Sequence, residues 1–317
     1  MEKNILITGG AGFIGLNFVK YMLVNTDYSL TIVDSLTYAS NQKEMMGLRN
    51  CPNFRFIKAD ITDVDSITQA MDRKYSAVIH FAAESHVDRS IIEANQFVKT
   101  NVLGTLNLLN CVLNGYAEKM IHISTDEVYG SLNMNEEPFT EQTPISPNNP
   151  YSASKAGSDL LALAFQRTYK IPIIITRCSN NFGPYQNLEK FIPKVIINAL
   201  NQKEIPIYGD GLQIRDWLFV EDHCSAIHHV MEKGKLGEVY NIGGDNEKTN
   251  LEVVQFILSK LGVTDELISF VEDRKGHDRR YAINSNKIIK ELGWKPKHSF
   301  DKALEKTICW YKQQYFS

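Results

Sequence analysis

Short apolar runs alternate with longer amphipathic stretches along the first two-thirds of the chain. The runs are rich in Ile, Val and Phe, as is typical of strands buried on both faces of a parallel sheet. The sequence predicts such strands at Asn4–Thr8, Ser29–Asp34, Phe54–Lys58, Ala77–Phe81, Met120–Ser124 and Ile173–Arg177. It predicts the intervening helices at Ile14–Asn25, Val64–Met71, Glu93–Asn114 and Tyr151–Tyr169. This alternation predicts an α/β fold, a doubly wound parallel sheet with helices on both faces and right-handed crossovers.

The regular alternation of predicted strands and helices is lost after about residue 178. Loops rich in Asn, Pro and Gly then separate isolated helices and short strands, for example at Asn180–Asn187, Tyr208–Gly211 and Gly243–Asn246. We therefore expect residues 1–178 to form the sheet domain with the catalytic residues, and residues 179–317 to form mainly a smaller ligand-binding region. A strand near Val239–Ile242 is expected to return to the main sheet.

Composition and charge exclude several classes of protein. The 317 residues are 43% hydrophobic and 22% charged, which excludes a disordered or collagen-like chain. The 34 basic and 37 acidic residues give a net charge of −3, and no run of Lys or Arg indicates nucleic acid or an anionic membrane as a partner. The apolar runs are too short to span a bilayer. Five cysteines without a CxxC pair predict reduced thiols in a soluble, cytoplasmic protein. The eight histidines show no metal-ligand spacing, so no metal is expected.

A glycine-rich turn joins the first predicted strand to the first helix. It reads Thr8-Gly9-Gly10-Ala11-Gly12-Phe13-Ile14-Gly15. Gly9 permits a tight turn, Gly12 lets backbone approach a pyrophosphate, and Gly15 lets helix and strand pack closely, as in a Rossmann dinucleotide-binding unit. The second strand ends at Asp34, where a carboxylate can accept both ribose hydroxyls and repel a 2′-phosphate. The pattern therefore favours NAD over NADP.

The next two strand ends complete the predicted cofactor crevice. Asp60 and Ile61 close the third strand, where a carboxylate and an apolar side chain suit an adenine. Phe81, Ala82 and Ala83 close the fourth, and the small side chains there leave room for the cofactor, since two of the three residues are alanines. Ligands of such sheets bind outside the carboxyl ends of the strands.

A tyrosine and a lysine stand four residues apart in PYSASKA, as Tyr151 and Lys155. This spacing puts both side chains on one face of a helix. A nearby ammonium favours a phenolate, so Lys155 is expected to lower the pKa of Tyr151 from ~10 towards neutrality. Tyr151 is thus a candidate base for the oxidation of an alcohol, with Thr125 as a further hydroxyl contact to the substrate.

Two carboxyl groups follow Thr125 in the segment STDEVYG. Oxidation of an alcohol needs only the Tyr–Lys pair and a hydroxyl, so Asp126 and Glu127 indicate additional proton transfers. Crowding raises the pKa of one carboxyl, which lets an acid and a base coexist near neutral pH.

The motifs together resemble those of the dTDP-glucose 4,6-dehydratases, in the extended short-chain dehydrogenase/reductase family. The resemblance runs nearly end to end, through TGGAGFIG, AAESHVDRS, STDEVYG, PYSASKA, CSNNFGPY, RDWLFVEDH, YNIGG and GHDRRYA. It implies a hydro-lyase of deoxysugar biosynthesis, of which the rhamnose pathway is one example, acting on dTDP-glucose with tightly bound NAD. It also implies a homodimer, through a four-helix bundle formed by the helices near Glu93–Asn114 and Tyr151–Tyr169.

The resemblance implies a role for each catalytic residue. Tyr151 would accept the proton of the sugar 4-hydroxyl while hydride leaves C4 for NAD. Glu127 would remove the C5 proton, and Asp126 would protonate the departing C6 hydroxyl. Hydride would then return to C6, so the cycle is redox-neutral. The implied catalytic set is Thr125, Asp126, Glu127, Tyr151 and Lys155.

The implied ligand contacts form two groups. Arg215 and Arg274 suit a pyrophosphate, because guanidinium makes paired hydrogen bonds, and Phe191 or Tyr208 suits stacking on a base. The cofactor group comprises Gly9, Gly12, Phe13, Ile14, Gly15, Asp34, Ser35, Leu36, Thr37, Asp60, Ile61, Phe81, Ala82, Ala83, Thr100, Tyr151, Lys155 and Asn181. The substrate group comprises Ser85, Thr125, Asn180, Lys190, Phe191, Pro206, Tyr208, Arg215, Asn250, Arg274 and His277.

Two other functions share parts of this pattern. A sugar-nucleotide 4-epimerase would use NAD, Tyr151 and Lys155 but return the hydride to C4, without a need for Asp126 or Glu127. A non-catalytic NAD-sensing regulator would need neither Tyr151 nor Lys155, and the presence of both argues against it.

Overall fold

A seven-stranded parallel sheet forms the centre of the molecule, in a computed structural model that describes residues 3–316. Its strand order is β10-β6-β5-β4-β1-β2-β3, and every neighbouring pair is parallel. The predicted doubly wound α/β fold is confirmed. The strands are β1 Asn4–Thr8, β2 Ser29–Asp34, β3 Phe54–Lys58, β4 Ala77–His80, β5 Met120–Thr125, β6 Ile173–Cys178, β7 Asn180–Phe182, β8 Ile205–Tyr208, β9 Ile214–Phe219, β10 Val239–Ile242, β11 Glu247–Thr249 and β12 Ile268–Val271.

Helices cover both faces of this sheet and form most of the rest of the chain. Four short helical turns accompany the α-helices, three of them 3₁₀ (Leu48–Asn50, Asp126–Tyr129 and Asp265–Leu267) and one π (Val98–Gly104). The α-helices are α1 Phe13–Asn25, α2 Gln42–Gly47, α3 Val64–Ala70, α4 Val87–Ile92, α5 Ala94–Phe97, α6 Thr105–Leu113, α7 Pro150–Tyr169, α8 Phe191–Leu200, α9 Val220–Lys233, α10 Asn250–Leu261, α11 Asn286–Leu292 and α12 Phe300–Phe316.

The helix predicted over Glu93–Asn114 is instead three consecutive pieces. A π-helical segment, Val98–Gly104, separates α5 from α6. Gly104 packs so closely on Ile61 that a Cβ there would lie 2.5 Å from the Ile61 Cδ1. The π turn also carries the buried Asn101, whose amide nitrogen donates to the Glu84 carbonyl and the Ser154 hydroxyl. The irregular turn therefore connects the loop after β4 to α7, a link that hydrophobic periodicity does not reveal.

Local signals define the start of α7, the helix that carries Tyr151 and Lys155. The Asn149 side chain accepts a hydrogen bond from the Ser152 backbone, and the Asn149 backbone donates to the Ser152 hydroxyl, which forms a capping box. Pro150 occupies the first turn. The helix ends at Lys170, which adopts the left-handed conformation. Tyr151 thus lies in the first turn and Lys155 one turn later.

The C-terminal part of the chain adds two small sheets and completes the large one. The small sheets have the orders β11-β9-β7 and β12-β8, whereas β10 pairs with β6 at an edge of the main sheet. One core cluster contains residues from both parts, such as Ile5 and Trp294. The division at residue 178 stays a prediction.

Residues 3–316 contain neither a membrane-spanning helix, nor a metal-binding cluster, nor a disulfide. No helix there has the length and apolarity to cross a bilayer. No group of three or more His, Cys, Asp or Glu side chains in that range is arranged to hold a metal ion. The cysteines are all free thiols.

A buried ion pair between Asp159 on α7 and Arg177 on β6 joins this helix to the main sheet. The Arg177 guanidinium donates from Nε to Asp159 Oδ2 at 2.9 Å and from Nη1 to the Tyr129 hydroxyl at 2.9 Å. His122 Nε2 lies 3.3 Å from the other Asp159 oxygen. The side chains of Arg177 and Asp159 are 3% and 0% exposed, so the carboxylate has almost no access to water.

We predict that Arg177→Met lowers the free energy of unfolding by about 3–5 kcal/mol, because it leaves the Asp159 carboxylate buried without its guanidinium. Urea denaturation measures the change. Arg55→Met is the matched control, since its pair with Asp72 is well exposed and is expected to contribute at most ~1 kcal/mol. Equal effects of the two substitutions would contradict a structural role for the buried pair.

Candidate active site

The carboxyl end of β5 presents the predicted acid–base residues. Thr125 ends the strand, and its hydroxyl accepts a hydrogen bond from the Glu127 backbone at 3.3 Å, which starts the 3₁₀ turn Asp126–Tyr129. Gly130 follows with φ +96°, and a Cβ there would lie 2.4 Å from the Ser146 carbonyl oxygen. The glycine therefore permits the sharp exit that leaves both carboxyl groups at the strand end.

Asp126 and Glu127 differ in their surroundings. Asp126 is 1% exposed, and burial, Glu127 and Asp216 raise its pKa well above the usual value. Burial also raises the pKa of Glu127, but Arg274, Arg215 and Lys190 oppose this rise, and Glu127 is partly open to the cavities. Burial thus raises the pKa of both carboxyl groups, but three cations oppose the rise at Glu127, so Asp126 is the one that more strongly favours its protonated form.

The expected lowering of the Tyr151 pKa is not found. Burial, followed by the negative charge of Glu127, raises the pKa of Tyr151 well above its ordinary value, although a hydrogen bond with Thr125 acts in the other direction. The Lys155 ammonium instead donates to the Ile123 carbonyl at 2.8 Å. The prediction was wrong because it counted the nearby cation but not the desolvation of the phenol, which is only 9% exposed.

Lys155 lies on the same face of α7, one turn after Tyr151. Burial lowers the pKa of its ammonium from 10.5 to about 8, while Asp159 opposes the shift. Lys155 therefore keeps its positive charge at neutral pH but lies close to the pH at which it loses it.

A cavity of about 270 Å³ lies outside the carboxyl ends of β1, β4 and β5. Gly9, Gly12, Phe13, Ile14 and Gly15 line it, and no side chain caps the start of α1. The first turn of α1 can thus offer its backbone N–H groups to an anion. Further predicted cofactor residues along this cavity are Phe81, Ala83, Tyr151, Lys155 and Asn181.

Close packing requires glycine at positions 9 and 15, whereas the surface around Gly12 is open. A Cβ on Gly9 would lie 2.4 Å from the Ala82 nitrogen, and one on Gly15 would lie 2.2 Å from the Gly9 oxygen. A Cβ on Gly12 would meet only the Gly9 oxygen, at 3.3 Å. Gly12 therefore keeps backbone exposed to the cavity, as the approach of a pyrophosphate requires. The uncapped helix and the bare Gly12 fit a dinucleotide such as NAD.

Asp34 at the end of β2 already holds backbone groups. Its carboxylate accepts hydrogen bonds from the Ala11 nitrogen at 2.9 Å and the Leu36 nitrogen at 2.8 Å, and Ser40 donates at 3.3 Å. Burial raises its pKa despite these bonds. Asp34 thus organises the glycine-rich turn itself, and its contact with ribose stays a prediction.

Other predicted cofactor residues do not line this cavity. These are Ser35, Leu36, Thr37, Asp60, Ile61, Ala82 and Thr100. Ile61 is only 4% exposed and packs in a core cluster, so its side chain is poorly placed to cover an adenine. The Thr100 hydroxyl accepts a hydrogen bond from Gln96 instead.

A second cavity, of about 620 Å³, shares a wall with the first. Glu127 and Asn181 line both. All the predicted substrate residues except Thr125, which lines the cofactor cavity, line this second cavity: Ser85, Asn180, Lys190, Phe191, Pro206, Tyr208, Arg215, Asn250, Arg274 and His277.

The second cavity suits an anionic ligand with polar groups. Five basic side chains line it against three acidic ones. Arg215 is 5% exposed, lies 4.4 Å over the Tyr281 ring and donates to the Ile214 and Asp278 carbonyls, which fixes its guanidinium. The Asn180 Oδ1 and the Arg274 Nε are buried atoms without a hydrogen-bond partner among the described residues. Unpaired buried polar atoms in a cavity are expected to pair with a ligand.

Sequence reasoning missed residues between the two cavities. Tyr38 and Ala39 line the cofactor cavity, Asp88 and Arg89 line the substrate cavity, and Glu189 lines both. The segments ESHVDRS and GPYQNLEK contain some of them, but neither spacing nor composition shows that two distant loops meet. The buried Asn101 was missed for the same reason.

The fold and site together define an NAD-type Rossmann enzyme with a Tyr–Lys pair and a separate anion-binding cavity. The family model described as GDP-mannose 4,6 dehydratase matches residues 6–307. The chain therefore belongs to this dehydratase family.

Known proteins agree with this assignment. The chain is 48% identical to a dTDP-glucose 4,6-dehydratase of Neisseria gonorrhoeae, covering 98% of this chain and 96% of that one. DesIV, a dTDP-glucose 4,6-dehydratase from Streptomyces venezuelae solved with NAD and TYD bound, is 45% identical with a TM-score of 0.95, covering 98% and 97% of the two chains. The resemblance to dTDP-glucose 4,6-dehydratases is confirmed.

Epimerases are more distant relatives. A UDP-glucose 4-epimerase from Thermotoga maritima, solved with UDP-glucose, has a TM-score of 0.90 over 98% of this chain and 99% of that chain, but only 29% identity. The overall fold is thus shared between the two activities, and the difference lies in the side chains.

We predict that His277 stays neutral at pH 7. Burial, followed by the positive charge of Arg274, lowers its pKa to about 4, although Asp273 accepts a hydrogen bond from its Nδ1 at 2.6 Å. A base with a lowered pKa gains its proton only when the pH falls to that value. The imidazole resonance of His277 is the one that is missing from the proton NMR spectrum of His277→Gln. In the unmodified protein this resonance should therefore not shift between pH 8 and 5. A midpoint near 6.5 would contradict the prediction.

Proposed function

We propose that this protein catalyses the dehydration of dTDP-glucose to dTDP-4-keto-6-deoxyglucose. The observation that carries the proposal is the contrast between Asp126 and Glu127. Burial raises the pKa of both carboxyl groups, well above the usual value for Asp126, whereas three cations oppose the rise at Glu127. Loss of water across C5 and C6 needs one acid and one base, and this pair supplies both.

The first stage oxidises the sugar at C4. NAD, when bound, accepts hydride from C4 and later returns it to C6. Tyr151 takes the proton of the 4-hydroxyl, and Thr125 offers a hydroxyl beside it. Tyr151 must first lose its own proton, which burial and Glu127 resist. A hydrogen bond with Thr125 favours this loss, and Lys155, on the same helix face, carries a positive charge below about pH 8.

The second stage removes water. Glu127 takes the C5 proton, which the 4-keto group has acidified. Asp126 gives its proton to the departing C6 hydroxyl. Asp126 suits this donation because its pKa is raised by burial, Glu127 and Asp216. Glu127 then returns a proton to C5 and is a carboxylate again. Asp126 regains its proton from solvent, which receives the proton that Tyr151 took from the 4-hydroxyl.

The cation-lined cavity suits the nucleotide diphosphate of the substrate. Arg215, Arg274 and Lys190 line it together and can neutralise a diphosphate by charge-assisted hydrogen bonds. Phe191 and the half-exposed Tyr208 offer aromatic faces to a base. The Asn180 amide oxygen, buried and unpaired among the described residues, is available to a hydroxyl of the ligand.

A sugar-nucleotide 4-epimerase is the less suitable alternative. Its hydride returns to C4, so no proton is removed from C5 and no hydroxyl leaves. Burying Asp126 beside Glu127 and Asp216 costs stability, and an epimerase would gain nothing from that cost. The carboxyl pair therefore favours the dehydratase.

We also propose that the protein forms a homodimer through α5, α6, the π turn between them, and α7. Large apolar side chains on these helices face solvent, including Val98 and Leu103 on the π turn, Leu113 on α6 and Leu160 on α7. Apolar residues clustered in this way are typical of an interface.

The free thiols are compatible with the reducing cytoplasm, which we propose as the location.

Single-turnover kinetics with dTDP-glucose would test the two stages separately. Tyr151→Phe should abolish both reduced nicotinamide and product, because no group accepts the 4-hydroxyl proton. Asp126→Asn and Glu127→Gln should form reduced nicotinamide normally but slow the appearance of 4-keto-6-deoxy product by ~10²–10⁴-fold. Absorbance of the nicotinamide and alkaline absorbance of the product report the two stages.

Glu266→Gln, which changes an exposed carboxylate that lines neither cavity, is the control and should behave as the unmodified protein. Product formation by Glu127→Gln at the unmodified rate would make the acid–base assignment wrong and favour the epimerase.

The dimer has its own test. Leu160→Glu places a charge on the exposed apolar face of α7, and burying that charge in an interface is costly. We expect this variant to be mainly monomeric by light scattering at concentrations where the unmodified protein is dimeric. Val24→Glu, on the solvent face of α1, should leave the mass unchanged. A monomeric unmodified protein would contradict the proposal.

A further inference from the structure

Three side chains from separate loops meet between the two cavities. Tyr38 follows β2, Arg89 lies in α4 after β4, and Glu189 follows β7. The Arg89 guanidinium carbon lies 3.8 Å from the centre of the Tyr38 ring. Its Nη2 donates to both carboxylate oxygens of Glu189, at 2.8 and 3.0 Å. We call Tyr38, Arg89 and Glu189 the mouth strap.

The mouth strap lies over the place where the cavities open beside each other. Tyr38 and Glu189 line the cofactor cavity, and Arg89 and Glu189 line the substrate cavity. Neighbouring groups support both ends, since the Tyr38 hydroxyl donates to Glu84 at 3.3 Å and His86 Nε2 lies 3.6 Å from Glu189. The strap therefore connects the loops after β2, β4 and β7 across one opening.

The strap contributes little to the stability of the fold. The side chains of Arg89 and Glu189 are each 45% exposed, and Tyr38 is 48% exposed. Exposed ion pairs and exposed cation–π contacts are weak individually. Contacts of this strength are suited to an opening that must release, since they break and re-form without unfolding the loops that carry them.

We propose that the mouth strap closes the outer side of the cofactor cavity and sets the rate at which NAD leaves. The inference rests on the proposed function, because a cycle in which hydride leaves and returns requires NAD to stay bound throughout. Glu189 lines both cavities, so the strap can hold the cofactor while the larger cavity exchanges its nucleotide sugar.

The test measures the release of radiolabelled NAD from loaded protein diluted into excess unlabelled NAD. Arg89→Gln, Glu189→Gln and Tyr38→Leu should each release NAD about 5–30-fold faster, as expected for the loss of one or two weak contacts. Added salt should speed release from the unmodified protein, because it screens the exposed ion pair, but should change Arg89→Gln little. The double variant Arg89→Gln/Glu189→Gln should release NAD no faster than Arg89→Gln alone.

Arg55→Gln is the matched control. It breaks a similarly exposed ion pair, in which Arg55 Nη1 lies 2.6 Å from Asp72 Oδ2. Arg55 lies near the start of β3, whereas the cavities lie at the carboxyl ends of the strands. Its release rate should equal that of the unmodified protein. Unmodified protein that binds no NAD would overturn the proposed function itself. Unmodified protein that holds NAD, with strap variants that release it at the same rate or with Arg55→Gln equally fast, would overturn the strap alone.

Discussion

The parallel register of the main sheet is the constraint on which the site depends. Neighbouring strands run in one direction, so β1, β2, β4 and β5 all end at the same edge. The glycine-rich turn, Asp34, the Phe81–Ala83 segment and Thr125 follow those four ends and therefore meet, although more than 100 residues separate the first from the last. The order changes direction around β1 and β4, and a crevice forms where helices depart to opposite faces. The cofactor cavity lies at that point.

Within that crevice, burial controls the acid–base chemistry more strongly than charge pairing does. Tyr151, Lys155 and Asp126 are each less than a tenth exposed, and each has its pKa shifted towards the neutral form. Only Glu127 is both partly open and surrounded by cations. The difference between two adjacent carboxyl groups thus comes from depth, because the 3₁₀ turn directs Asp126 into the protein and Glu127 towards the cavities. Two similar side chains, adjacent in the sequence, thereby differ in how strongly they hold a proton.

Much of the fold could be predicted from the sequence, because buried parallel strands are short apolar runs. The six predicted strands match the structure to within one residue at each end. The helix over Glu93–Asn114 was wrong in detail, since the π turn depends on contacts of Asn101 and Gly104 with distant loops. Sequence motifs also indicated the catalytic set and the residues of the larger cavity. They could not give the pKa of Tyr151, which depends on how completely α7 and β5 exclude water, or the meeting of Tyr38 with Arg89.

A redox-neutral cycle imposes opposite requirements on the two cavities. The dinucleotide must remain while the sugar is first oxidised and then reduced, but the nucleotide sugar must enter and leave at every turnover. The smaller cavity meets the first requirement with the glycine-rich turn, whose backbone packs closely around Gly9 and Gly15. The larger one meets the second with cationic side chains such as Lys190 and Arg274, which can attract the diphosphate of each incoming nucleotide sugar. Glu127 and Asn181 line both cavities, so the cavities meet at these residues. The reacting carbon of the sugar can therefore lie against the cofactor there when both cavities are filled. This arrangement links binding of the substrate to the start of the chemistry.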